Sequence, residues 1–182
     1  YMEDLYKAGG SIRIFDELKD FLYLDAKLVN GNSIGEEIQT ASNWKQNIIT
    51  PKDNPVFKGG SIAVLSGTLA PGCAIIKQSA ASPDLLVHEG KAVVFENLED
   101  LANRVDTEEL DVSKDDILVL KSIGPKGGPG MPEAGLIPIP KKLARQGVKD
   151  MVRISDGRMS GTASGTIVLH VTPESFEKGP LA

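Results

Sequence analysis

The stretch Met151-Val152-Arg153-Ile154-Ser155-Asp156-Gly157-Arg158-Met159-Ser160-Gly161-Thr162-Ala163-Ser164-Gly165-Thr166-Ile167-Val168-Leu169-His170-Val171 carries the pattern on which the fold turns. Its two apolar runs, Met151–Ile154 and Thr166–Val171, read as short strands. Between them lies an unusual density of glycines and hydroxyls. Working outward, Ser61–Leu65 and Cys73–Lys77 read as strands around a turn at Ala70-Pro71-Gly72, and Lys91–Phe95 and Ile117–Leu120 as two more. Asn97 is placed to cap a short helix with Asp100 three positions on and a buried stripe of Leu98, Leu101, Ala102 and Val105. Pro140 and Gly147 bracket a second helix over Lys141–Gln146. Strands interleaved with a few short helices predict a mixed α/β fold: a β-barrel-like core with helices outside.

Upstream the pattern changes. From Tyr1 to about Ser42 the residues Ile12, Phe15, Leu18 and Leu22 recur at helical spacing, and Ser33 can cap a short helix with Glu36. Asn43 to Gly60 then carries Thr50-Pro51, Asn54-Pro55 and Gly59-Gly60 with little periodicity, which marks a boundary between two structural units.

Composition narrows the function classes. The 182 residues include 20 Lys and Arg against 25 Asp and Glu, a formal charge of -5, so the concentrated positive surface that nucleic acid requires is not expected. The densest basic group, Lys141, Lys142 and Arg145, reads as a solvated helical face. The longest apolar runs, Ile62–Leu65 and Ile167–Val171, are far short of a membrane span. Tyr1-Met2-Glu3-Asp4 has neither the basic head nor the apolar stretch of a signal peptide, and the single cysteine, Cys73, cannot form an internal disulfide. A cytoplasmic protein is therefore expected. Cys73 enters an apolar run and reads as a small buried hydrophobe.

Two segments could carry chemistry. Gly127-Gly128-Pro129-Gly130-Met131-Pro132-Glu133 follows a strand; its glycines permit close backbone approach to a ligand, and Glu133 could ligate a hard cation such as magnesium or simply be solvated. In the second, Ser155–Thr166, Ser160 could act as nucleophile or base, or the hydroxyls could merely brace a turn. A phosphate cradle is disfavoured because no Gly-x-x-x-x-Gly-Lys-Ser/Thr pattern occurs. His88, in a turn, and His170, inside an apolar strand, read as structural rather than catalytic. Spacing alone yields two candidate loops and no mechanism.

Those two segments, in order with Met2-Glu3-Asp4, Ala8-Gly9-Gly10, Leu69-Ala70-Pro71, Ala92-Val93-Val94-Phe95-Glu96 and Leu169-His170-Val171-Thr172-Pro173-Glu174, resemble the C-terminal portion of the dihydroxy-acid and sugar-acid dehydratase family. Met159 and Thr162 flanking Ser160 lean toward the branch acting on aldonates such as arabinonate, xylonate or gluconate. The resemblance implies a hydro-lyase that converts a sugar acid to a 2-keto-3-deoxy acid. An iron–sulfur cluster assists departure of the C3 hydroxyl, and Mg2+ holds the carboxylate end. Ser160 matches the proposed base, Glu133 a magnesium ligand and Thr162 a substrate contact.

It further implies a swivelling β/β/α domain over residues 43–182 and a helical tail of the N-terminal catalytic domain over 1–42. The small-molecule substrate, homo-oligomeric assembly and absence of nucleic acid or membrane partners follow the family. The cluster ligands are expected outside this chain, and Cys73 stands where relatives commonly carry glycine. Both ends are expected to be truncated, leaving these residues inactive alone. A branched-chain dihydroxy-acid dehydratase and a non-catalytic binding module are the alternatives.

Overall fold

A computed structural model describes residues 1–41, 46–128, 137–158 and 164–182. The chain divides into two compact units, Tyr1–Lys58 and Gly59–Ala182.

The first unit is helical only in pieces: α1 (Met2–Lys7), α2 (Gly10–Leu18) and α3 (Ile34–Ile38). The expected continuous stripe stops at Leu18, and Leu22 lies in extended backbone beyond it. Further along, the chain folds back on itself. Asn30-Gly31-Asn32 turns the chain, with the Asn32 N–H donating to Asn30 Oδ1 at 3.1 Å, and Lys27 pairs with Ser33 as an isolated bridge. The α3 cap is as expected. Ser33 Oγ accepts from the Glu36 N–H at 3.2 Å, and the Glu36 carboxylate accepts from the Ser33 N–H at 2.6 Å.

In the second unit, six strands among the described residues form one mixed sheet: β1 (Ile62–Gly67), β2 (Ala70–Lys77), β3 (Ala92–Phe95), β4 (Ile117–Leu120), β5 (Arg153–Ser155) and β6 (Ile167–Thr172). Their order is β1-β2-β6-β5-β4-β3. Strands β3, β4, β5 and β6 run parallel, while β2 is antiparallel to both β1 and β6. Between β3 and β4 runs α4 (Leu98–Arg104), and between β4 and β5 runs α5 (Lys141–Arg145).

Alternation along the strands divides the core between the two sheet faces. Val93, Phe95, Leu118 and Leu120 pack with Leu101, Val105, Leu143 and Met151. Val119 joins Ala70, Ala74, Val171 and Leu181 in a second cluster. Strand β4 is thus buried on both sides, as its unbroken Ile-Leu-Val-Leu run requires. Each such fully buried side chain contributes about 1.5–3 kcal/mol, so much of this unit's stability is concentrated there.

Two local readings are corrected. The β1–β2 turn lies at Thr68-Leu69, with Gly67 paired to Ala70, so Ala70-Pro71-Gly72 belongs to β2. Pro71 is tolerated because the β6 ladder begins only at Cys73, beside a register shift. In α4, whose Asn97 cap is as expected, Leu98 and Ala102 are exposed and only Leu101 is buried, with Val105 following; two turns suffice to bury one edge. The basic residues of α5 form an exposed face, as expected, and pair there with acidic neighbours: Lys141 with Asp106 at 2.7 Å and Arg145 with Glu108 at 3.1 Å.

Cys73 is half-buried rather than buried, and it has φ +99°. Its carbonyl accepts from Thr172 Oγ1 at 2.9 Å, which holds the backbone in this conformation. L side chains avoid that region, at a cost of about 1–3 kcal/mol. Cys73→Gly is therefore expected to raise stability by about 1 kcal/mol, the relief of strain exceeding the extra unfolded-state entropy of glycine. Urea unfolding of both forms checks this, and a loss of stability would show that the side chain contributes more than the strain costs.

Candidate functional site

In a parallel sheet the carboxyl ends of the strands share one edge, and loops leaving that edge are the usual place for ligands. Strands β3, β4 and β5 end there at Phe95, Leu120 and Ser155. The residues just beyond are polar: Lys121 pairs with Glu96 at 2.9 Å, Ser122 leads toward the first glycine-rich segment, and Asp156 stands near the start of the second. These segments therefore depart from neighbouring strands at one edge.

A buried carboxylate ties their departures together. Asp156, 1% exposed, accepts from the Ile123 N–H at 3.1 Å through Oδ1. Through Oδ2 it accepts from the Ser175 N–H at 2.9 Å and hydroxyl at 2.6 Å. Ser175 Oγ in turn accepts from the Ser122 N–H at 2.8 Å. Beside it, Glu174 accepts from the Lys126 N–H with both oxygens, at 2.8 and 3.1 Å. A Cβ on Gly124 would lie 1.9 Å from Glu174 Oε2, so only glycine allows this carboxylate to seat against the loop. Ser155 Oγ accepts from the Gly157 N–H at 3.0 Å, and the Gly157 carbonyl accepts from the His170 N–H at 3.1 Å.

A second buried group meets the chain where both segments return. Arg153, 2% exposed, donates to the Ile137 carbonyl at 3.1 Å and the Ser164 carbonyl at 3.2 Å. It also donates to the Met151 carbonyl at 3.3 Å and pairs with Asp150 Oδ1 at 2.9 Å. Burial pulls the Arg153 guanidinium below its ordinary value, and Asp150 opposes that pull; the group remains a cation. For Asp150 burial is the largest influence and acts upward, yet hydrogen bonds from Ser82 and Thr166 and the Arg153 charge outweigh it. Its carboxyl is held below the ordinary range.

Glu133, Ser160 and Thr162 lie outside the described residues. His88 uses its ring Nε2 on the Asp115 carbonyl at 2.8 Å, and His170 is a half-buried strand residue at φ +53°. No group of three or more His, Cys, Asp or Glu side chains among the described residues is placed to hold a metal. Cys73 Sγ lies 3.8 Å from Thr172 Oγ1, and a lone thiol on a strand does not fit a cluster cage. Among the described residues no helix is long and apolar enough to cross a membrane.

Sequence reasoning missed Arg153, Asp150, Asp156 and Glu174 as organising groups. One signal was present: an arginine inside the apolar run Met151–Ile154 must find partners if the strand is buried.

The architecture is that of a mixed α/β unit in which the chain leaves neighbouring parallel strands at one edge toward the two glycine-rich segments. Residues 47–182 match the model of the dihydroxy-acid/6-phosphogluconate dehydratase C-terminal family, and the chain belongs to that family. It is 50% identical to an L-arabonate dehydratase of Azospirillum brasilense, over the whole chain and 32% of that protein. It is 44% identical to a 6-deoxy-6-sulfo-D-gluconate dehydratase of Pseudomonas putida, again over the whole chain and 32% of that protein. Identity to a dihydroxy-acid dehydratase of Carboxydothermus hydrogenoformans is 42%, over the whole chain and 33% of that protein. The chain spans about a third of the length of the curated relatives it matches.

Proposed function

We propose that this chain is the C-terminal part of a hydro-lyase that dehydrates an aldonate to a 2-keto-3-deoxy acid. The observation that carries the reading is the arrangement of the two glycine-rich segments: they leave adjacent parallel strands at one edge, joined by Asp156, and return to one guanidinium, Arg153. Relatives named for sugar-acid substrates support an aldonate over a branched-chain dihydroxy acid.

In this reading Ser160 is the base that takes the C2 proton, the C3 hydroxyl leaves as water, and the resulting enol tautomerises to the ketone. An iron–sulfur cluster bound outside this chain and Mg2+ supply Lewis-acid assistance to the departing hydroxyl and hold the carboxylate end. Glu133 contributes an oxygen ligand to the magnesium, and Thr162 contacts the substrate. A serine hydroxyl is a weak acid, and a nearby divalent cation is what makes it competent as a base. The fold reading that accompanies this is a barrel-like swivelling domain over 43–182 with 1–42 as the tail of the N-terminal domain, in a cytoplasmic homo-oligomer.

The test uses the full-length protein. Turnover of arabinonate, xylonate and gluconate is expected to exceed that of the valine-pathway dihydroxy acid; the reverse preference would assign the branched-chain reaction, and turnover of neither would leave a binding module. Glu133→Gln keeps size and removes charge, so the magnesium needed for half-maximal activity is expected to rise about tenfold or more with the fold intact. An unchanged magnesium requirement would remove Glu133 from the ligand set.

A further inference from the structure

We propose that Arg153 is a positioning residue shared by both candidate loops, setting the return point of the Glu133 segment and the Ser160 segment with one guanidinium. What this says about turnover rests on the dehydratase reading; what it says about the backbone does not.

Donor geometry defines the anchor. The guanidinium reaches four acceptors: the Met151, Ile137 and Ser164 carbonyls and Asp150 Oδ1. Two belong to chain near Arg153 itself or to its counterion, but Ile137 lies beyond the Glu133 segment and Ser164 lies near the end of the Ser160 segment. Only a planar fork with donors at several nitrogens can span carbonyls approaching from different directions; a lysine ammonium is a point donor. Asp150 fixes the fork in place, because its own oxygens are held by Ser82 Oγ at 2.7 Å and Thr166 Oγ1 at 2.8 Å. Gly165, with φ +109°, completes the fit: a Cβ there would stand 2.0 Å from the Arg153 terminal nitrogen.

Covalent reach links this anchor to the chemistry. Glu133 precedes Ile137 by four residues and Ser160 precedes Ser164 by four, a chain length of at most about 14 Å in each case. Slack at the anchor is therefore passed to both side chains together, whereas an ordinary packing residue would affect whichever element it touches.

Hydrogen–deuterium exchange on the full-length protein reads the anchor directly. Arg153→Lys is expected to speed amide exchange at Ile137 and Ile139 and at Ser164–Thr166 together, by about tenfold or more, since charge-assisted bonds to two carbonyls are weakened. Exchange in β3 and α4 should stay unchanged. Gly165→Ala displaces the same guanidinium from the other side and is expected to reproduce the paired response, which keeps the test valid if the lysine variant folds poorly. Leu101→Ala, a cavity in the core beside α4, serves as a control that lowers stability without touching either return point.

In the two anchor variants the magnesium requirement should rise while C2-proton exchange falls, and neither should move in the control. Acceleration at only one return point, a uniform rise throughout the unit, or the same kinetic changes in Leu101→Ala would overturn the proposal. A paired exchange response in a protein that turns over no aldonate would uphold the anchor and refute the dehydratase reading.

Discussion

Ser160→Ala in the full-length protein is expected to lower aldonate turnover about a hundred- to ten-thousand-fold, the usual contribution of a general base. Stability should change by about 1 kcal/mol or less, because one oxygen is removed from a segment rich in glycine. The loss should fall on proton abstraction, so exchange of the substrate C2 proton with solvent is the decisive measurement. Neighbouring hydroxyls supply controls of different kinds. Ser155 is buried and accepts from the Gly157 N–H at 3.0 Å, so Ser155→Ala should cost stability through the turn it braces. Ser164 is exposed and is held through its backbone carbonyl, so Ser164→Ala should be nearly silent in both assays. Near-normal C2 exchange in Ser160→Ala would mean that another group is the base.

The strands were legible because short, β-branched, apolar runs bounded by turn residues have few other uses. Ile117–Leu120 and Ile167–Thr172 appear almost as the pattern predicts. Caps were legible for the same reason: Ser33 with Glu36, and Asn97 with Asp100, satisfy orphan amides within three residues. Readings failed where a local pattern was overruled at longer range. Helical spacing ran past Leu18 into a segment that Asn30-Gly31-Asn32 folds back. Ala70-Pro71-Gly72 has turn composition, yet pairing with β1 draws it into a strand.

The site divides likewise. Its two segments were visible as glycine-rich interruptions after strands. The groups that organise them were not, because Asp156 joins Ile123 from 33 residues away and Asp150 joins Ser82 across 68. No spacing rule reaches that far, and only a charged residue within an apolar strand hinted that such partners exist.

Asp150→Ala is expected to destabilise the protein by about 3–5 kcal/mol at neutral pH, because it leaves the Arg153 guanidinium buried without its counterion. Ser82→Ala, which removes only a neutral donor to the same carboxylate, should cost about 1 kcal/mol. The pH dependence separates a charge effect from loss of packing. Burial pushes Asp150 upward, but the Ser82 and Thr166 hydrogen bonds and the Arg153 charge prevail, and its folded value lies below the unfolded one. A depressed carboxylate stabilises the fold fully above its unfolded value of about 4, and that contribution is lost as the pH falls through the lower folded value. Arg153 stays charged throughout, so protonating Asp150 reproduces part of what the alanine variant does. The gap in stability between wild type and Asp150→Asn should therefore be widest at pH 6–8 and narrow on acidification below about pH 4. Urea unfolding at pH 7 and at pH 3 measures both gaps. A gap that is the same at the two pH values would show that the carboxylate acts through shape and hydrogen bonding alone, and that the charge on Asp150 does not hold the Arg153 anchor.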